Sequence, residues 1–158
     1  MSLPIEPLTP DAFAPFGQVI QTDGAEHFTI NQGSTTRFHA LATADPGPEG
    51  QAILSIFRGT RWPGPIRLTM LERHPMASQA FVPLSPQDWL VVVADEPKLS
   101  ALRCFRARGD QGVNYTRGTW HHPLLVLVPS QDFLIVDRQG PGDNLEEQSL
   151  EKVVTLET

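Results

Sequence analysis

Hydrophobic and polar residues alternate along most of this chain in short runs, a period that puts successive side chains on opposite faces of a β-strand. Residues 17–21 (GQVIQ) make the first clear run, closed by the Asp23-Gly24 turn signal. Two more flank a turn at Asn31 to Ser34, the second carrying Arg37 and His39 on one face. Further runs are AILSIFR (52–58), PIRLTMLERH (65–74), SQAFVP (78–83), WLVVVA (89–94), ALRCFRA (101–107), TWHHPLLVLV (119–128) and DFLIVDR (132–138). Turns at Ser85-Pro86 and at Pro129 to Gln131 separate neighbours. Helix signals are confined to the ends. Thr9 can cap a short helix with Pro10 at its first position and Asp11 in its first turn, and Pro15 keeps it short. Near the C-terminus, Asp143 with Glu146 reads as a capping box ahead of an apolar stripe of Leu145, Leu150, Val153 and Val154, which predicts a C-terminal helix. The pattern as a whole predicts an all-β, sandwich-like barrel with a short helix at each end.

The run from Pro65 to His74 changes character along its length. Strict alternation puts Leu68, Met70, Glu72 and His74 on one face and Arg67, Thr69, Leu71 and Arg73 on the other. A face that begins as core thus ends as carboxylate and imidazole. A second concentration of reactive groups lies at Asn114 to Leu125 (NYTRGTWHHPLL), and the polar segment Glu72 to Phe81 supplies the facing wall. Adjacent strand residues point opposite ways, so His121 and His122 cannot enter one site together. His121 with Thr119 is expected inside and Trp120 with His122 outside, although the apolar character of both faces also fits the reverse.

The constellation these runs define is Glu72, His74, Gln79 and His121. Carboxylate and imidazole suit Zn, Ni, Fe or Mn, and residues two apart on a strand can grip one ion. On its own, an acid and a histidine at a strand end form a surface ion pair more often than a site. A small anionic substrate in an acidic protein needs a local cation, and Arg37, Arg73 and Arg117 adjoin the polar stretches. Asn31, Gln32 and Tyr115 can hydrogen-bond such a ligand. Asp137 and Arg138 read as a pair closing the last strand.

Composition narrows the classes. The chain has 158 residues, enough to bury one sizeable core, and is expected to form a single domain over residues 1–158. Fifteen prolines and twelve glycines work against long helices. A net charge of -6 with no cluster of Lys or Arg argues against nucleic acid. The single cysteine, Cys104, sits in an apolar run and points to a reducing, cytoplasmic setting. No signal peptide is visible, and no apolar run approaches membrane-spanning length. Nucleophile elbows, Gly-rich phosphate loops and polar Cys-His pairings do not occur, which sets aside serine hydrolases and nucleotide binders.

Glu72-x-His74-x4-Gln79 and Gly118-x-x-His121 resemble the two short motifs of cupin barrels, His-x-His-x3,4-Glu and Pro-x-Gly-x2-His, with Glu72, Gln79 and Thr116 as replacements. The likeness sharpens across PLTPDAFAPFGQVI, HFTINQGSTTRFHAL, SIFRG, LERHPMASQAFVPL, GVNYTRGTWHHPLL, DFLIVDR and GDNLEE, which together resemble the ureidoglycolate lyase family of allantoin and purine degradation. That resemblance implies a cupin-like double-stranded β-helix, homodimers, cleavage of (S)-ureidoglycolate to glyoxylate and urea, and a divalent metal such as Ni or Zn in some members, with no organic cofactor. It also implies roles. His121 or His74 would be the base, Glu72 would raise imidazole basicity or donate a proton if burial lifts its pKa, and Glu72, His74, Gln79 and His121 would hold any metal. Arg73, Arg117 or Arg37 would clamp the carboxylate, while Asn31, Gln79 and Tyr115 would take the ureido group. Alternation turns Arg73 away from Glu72 unless the strand bulges. The rival readings are a cupin that binds or senses a small acid without turnover, an amidohydrolase releasing ammonia, and a scaffold turned to a related ureido acid.

Overall fold

The computed structural model describes residues 2–158. Its strands are β1 (Ile5–Pro7), β2 (Gly17–Ile20), β3 (His27–Ile30), β4 (Thr35–Phe38), β5 (Gln51–Thr60), β6 (Ile66–Arg73) and β7 (Gln79–Pro83), continuing with β8 (Trp89–Ala94), β9 (Arg103–Ala107), β10 (Gly112–Tyr115), β11 (Trp120–His121), β12 (Leu125–Val126), β13 (Ser130–Gln139) and β14 (Glu146–Leu156). The one α-helix among the described residues, α1 (Pro10–Phe13), starts as expected, with the Thr9 hydroxyl accepting from the Ala12 N–H and Pro10 in the first turn.

Two curled sheets face one another in a cupin-like barrel. One runs β1-β9-β8-β11-β6-β14 with β12 also on β8, and the other runs β2-β10-β7-β13-β5. Between them lies an apolar layer of Phe13, Phe16, Phe81, Trp89, Val91, Val93, Phe105, Val113, Phe133 and Ile135. Edge-on aromatic packing, such as Trp89 on Phe133 at 4.8 Å, fills it. The alternate residues of β8, Leu90, Val92 and Ala94, turn the other way and join Leu68, Leu71, Cys104, Val154 and Leu156 in a second apolar cluster. Burial there pushes the Cys104 thiol up to about 12, so it behaves as a small hydrophobe.

Two sequence expectations are corrected. The C-terminal segment is not a helix but β14, antiparallel to β6. Without it β6 would present an open edge, and the pairing satisfies that edge while burying Val154 and Leu156 at period two. Leu145 and Val153, half of the supposed helical stripe, are left exposed. Alternation along β6 also slips. Leu68 and Leu71 are both fully buried in the second cluster, three residues apart, where the register against β14 shifts between Ser149 and Val154. Glu72 therefore faces the inter-sheet side, opposite Leu68, while Arg73 stays on the outer face as alternation required.

β3 and β4 form a separate two-stranded hairpin whose tip, Asn31 and Gln32, takes positive φ of 51° and 57°. Both strands are largely exposed, including Phe28 and Phe38. At the mouth of the barrel, β2 crosses β10 at Gly17, whose φ of +153° and closeness to the Asn114 carbonyl leave no room for a Cβ.

If the tail is a strand, Val154→Ala should lower unfolding free energy by about 1–3 kcal/mol while Val153→Ala changes it by less than about 0.5 kcal/mol. Urea unfolding of the two variants checks this, and similar losses at both positions would restore the helical reading.

Candidate active site

The turn after β10 delivers one half of the site. Gly118, in the left-handed region at φ +81°, donates its N–H to the His74 carbonyl at 2.9 Å, and the Thr116 and Thr119 hydroxyls both donate to the Phe16 carbonyl. The turn leads into β11, where His121 pairs directly with Glu72 of β6. Cross-strand partners share a face, so carboxylate and imidazole meet, with His121 Nε2 3.5 Å from Glu72 Oε1. His74 leaves the end of β6 and closes the group, its ring centroid 5.3 Å from that of His121. One ligand atom from each of Glu72, His74 and His121 lies within 4.8 Å of the others.

Backbone carbonyls decide the state of both imidazoles. His74 Nδ1 lies 2.8 Å from the Asn144 carbonyl and His121 Nδ1 lies 2.9 Å from the Thr119 carbonyl. A carbonyl only accepts, so each Nδ1 carries the proton and donates it. Each Nε2 is then a free lone pair in the neutral ring. Both Nε2 atoms are buried and lack a hydrogen-bond partner of good geometry. Two oriented lone pairs beside a carboxylate form a donor set that suits a divalent ion, with the Nδ1 bonds as its outer support.

The five-stranded sheet supplies the opposite wall. Val113, Phe81 and Ile135 face inward, so two residues further along β10 and β13, and two earlier on β7, the inward residues are Tyr115, Asp137 and Gln79. A polar layer thus rests on an apolar floor. The Tyr115 ring stacks on His121 with centroids 4.2 Å apart and planes 12° off parallel. Gln79 donates its Nε2 hydrogen to Asp137 Oδ2 at 3.3 Å.

Charge follows from these contacts. Glu72 is held below the usual carboxylate range, chiefly by the His121 imidazole 3.5 Å away and against the opposing effect of burial. Its expected alternative role as a proton donor is therefore disfavoured, because that needed an elevated value. Burial, helped by the Glu72 charge, pushes the Tyr115 phenol well up, so it stays neutral. Burial moves His122 down. His122 lies outside the cluster, with its ring near Trp62 and its Nδ1 donating to the Pro123 carbonyl.

Among the sequence candidates, Glu72, His74, Gln79, Tyr115 and His121 come together. The arginines do not join them. Arg73 lies on the outer face, paired with Glu146 at 2.7 Å and stacked over Trp120 at 4.7 Å. Arg117 is nearest by connection, one residue before Gly118, and grips both oxygens of Asp45. Arg37 lies over Phe28 and Asn31 bonds Thr35, contacts that stay within the exposed hairpin. The Asp137-Arg138 pair does not form, since Arg138 donates instead to the carbonyls of Pro46, Pro48 and Pro141. Asp137 is the site residue that the sequence reading misassigned. The signal was present in DFLIVDR, where an inward apolar alternation of Phe133 and Ile135 ends in an acid.

Comparison with known proteins points to a single family. A family model described as ureidoglycolate lyase matches residues 1–157. A ureidoglycolate lyase of Pseudomonas syringae pv. tomato is 54% identical over 155 residues, covering 96% of this chain and 91% of that protein. Ureidoglycolate lyases of Pseudomonas putida (strain W619) and Pseudomonas fluorescens (strain Pf-5) are each 55% identical over 150 residues, covering 92% of this chain and 90% of theirs.

The Arg117-Asp45 pair pins the segment before β5 against the site turn, and it gives a pH signature. Arg117, with the Gly47 N–H, lowers the Asp45 carboxyl from its ordinary 3.8. The pair therefore adds stability above that value, and the contribution is lost as pH falls through the lowered one. Arg117→Gln should unfold at a lower temperature than the parent at neutral pH, with the gap closing in acid. Thermal scans from about pH 7 down to 3 measure it, and a gap independent of pH would refute it.

Proposed function

The chain belongs to the ureidoglycolate lyase family, and on that membership we propose that it cleaves (S)-ureidoglycolate to glyoxylate and urea at the Glu72, His74 and His121 cluster. The observation that carries the reading is the pair of buried, partnerless Nε2 lone pairs set against a carboxylate.

Ureidoglycolate is a hemiaminal that carries a carboxylate. As its hydroxyl proton leaves, the O–H electrons become the second bond of the aldehyde carbonyl, the C–N pair moves to nitrogen, and nitrogen takes a proton. His121 Nε2 accepts the hydroxyl proton, and Glu72, ionised at 3.5 Å, stabilises the imidazolium that forms. The imidazolium then returns the proton to the departing urea nitrogen. The Thr119 carbonyl keeps the ring in the required tautomer throughout. Tyr115 covers the face of His121 and excludes water from it. Arg117, one residue before Gly118 and held by Asp45, is the cation that a substrate carboxylate would have to draw from that pair. A divalent ion would be held by Glu72, His74 and His121, with the Gln79 oxygen within the same polar layer, and would supply Lewis-acid polarisation of substrate oxygens, easing the demand for a strong base.

The same reading includes a homodimer. Support comes from apolar side chains left open on the five-stranded sheet, Leu54 at 72% and Ile56 at 55% exposure, and from the uncovered hairpin. No helix among the described residues is long and apolar enough to cross a membrane.

His121→Asn should reduce urea release by roughly 10²–10⁴-fold with unchanged circular dichroism. Near-parental turnover would remove His121 from the mechanism, and ammonia in place of urea would favour an amidohydrolase. Chelation separates the two modes of activation. Activity lost on chelation and restored by a divalent ion assigns activation to the ion, whereas activity that survives assigns it to the imidazoles.

A further inference from the structure

We infer that Asp137 is a positioning residue, fixing the Gln79 amide with its carbonyl oxygen turned into the site to accept an N–H of the ureido group. The inference rests on the ureidoglycolate reading and deepens it.

Gln79 is buried, at 6% exposure. An amide side chain can present either end, and its neighbours decide which. Here the neighbour is a carboxylate, which when ionised can only accept, so the bond from Nε2 to Asp137 Oδ2 commits the NH₂ end to the wall. The oxygen is left over. Gln79 Oε1 is buried and has no hydrogen-bond partner among the described residues. Tyr115 sits directly across from Gln79 in the strand register and stacks on His121, so this oxygen belongs to the same polar layer as the reacting imidazole.

Acceptors outnumber donors in the layer, where the neutral Tyr115 phenol is able to donate. His74 Nε2, His121 Nε2, the Glu72 carboxylate and Gln79 Oε1 all accept. The ureido half of the substrate is rich in donors, whereas the glyoxylate half offers only its hydroxyl. A fixed carbonyl acceptor therefore recognises the urea end and holds the leaving nitrogen. Were the amide free to turn over, it would offer N–H to N–H and select against that end. Asp137 removes this alternative without touching the substrate.

The test compares two unreactive inhibitors of urea release by the full-length enzyme: oxalurate, which carries carboxylate and ureido groups, and oxalate, which has no N–H. Asp137→Asn lets its own amide donate to Gln79 and frees the Gln79 amide to turn. The inhibition constant for oxalurate should rise roughly tenfold, with that for oxalate nearly unchanged. Gln79→Met, close in volume but without the oxygen, should give the same selective loss and stands in if Asp137→Asn does not fold. The double variant should lose no more than Gln79→Met alone, because Asp137 acts only through Gln79.

Equal losses for both inhibitors, additive losses in the double variant, or loss of a bound divalent ion with an unchanged oxalurate-to-oxalate ratio would each overturn the inference. If the parent enzyme releases urea while the ratio stays fixed in the variants, only this inference fails. If the parent neither releases urea nor binds oxalurate, the functional reading fails and takes the inference with it.

Discussion

Two main-chain carbonyls hold the candidate site of this protein in place. The Thr119 and Asn144 carbonyls each accept the Nδ1 proton of a buried histidine, and a carbonyl cannot play the opposite role. His121 and His74 are thereby committed to one tautomer and one ring orientation, with His121 Nε2 turned toward Glu72 and His74 in the same cluster. Whether the lone pairs meet a proton or a metal ion, the backbone has already set their direction. This explains why the site depends on segments that carry none of its reactive groups. The Thr116–Thr119 turn presents one carbonyl, and the run into β14 presents the other.

The strand architecture does the remaining positioning through alternation. The apolar layer between the sheets ends, one step toward the mouth, in Tyr115, Gln79 and Asp137 on one side and in Glu72 and His121 on the other. A polar layer with an aromatic floor is shielded from water, so its charge interactions count for more than they would at the surface. The neutral Tyr115 phenol follows from that burial, whereas His121 holds the Glu72 carboxyl low against it. The cations near the mouth are already engaged. Arg73 is drawn to Glu146 and Trp120, and Arg117 to Asp45, so the inner layer consists almost wholly of acceptors. A donor-rich ligand such as a ureido acid complements it.

Alternation written in the chain marked most strands of the two sheets, though not β1, β10 or β14, and cap and turn signals marked the short first helix and the hairpin turn, because such patterning is a local property that survives into the fold. The family motifs lie on Glu72, His74 and His121. The tail shows where local reading stops. Its capping box and apolar stripe are sound helix signals, yet β6 offered an unpaired edge, and the hydrogen bonds of a long antiparallel ladder outweighed a propensity worth only tenths of a kcal/mol per residue. The slip between Leu68 and Leu71 belongs with it, since a bulge is set by the partner strand and leaves no mark in the run itself.

Partner choice was likewise undecidable from the chain. Arg73, Arg117 and Arg37 all looked available to a substrate, and Asp137 looked like the mate of Arg138, because a charged side chain's partner can lie dozens of residues away. By itself the sequence determined an all-β barrel and the residues able to do acid–imidazole chemistry, since both follow from side-chain identity and local period, while the cupin likeness came from its resemblance to known motifs. Tertiary structure alone decided which nitrogen of His74 is free, which acid holds Gln79 and which arginines are taken, because each of those is a contact between segments distant in the chain, and the His121 ring follows the conformation of the turn that delivers it.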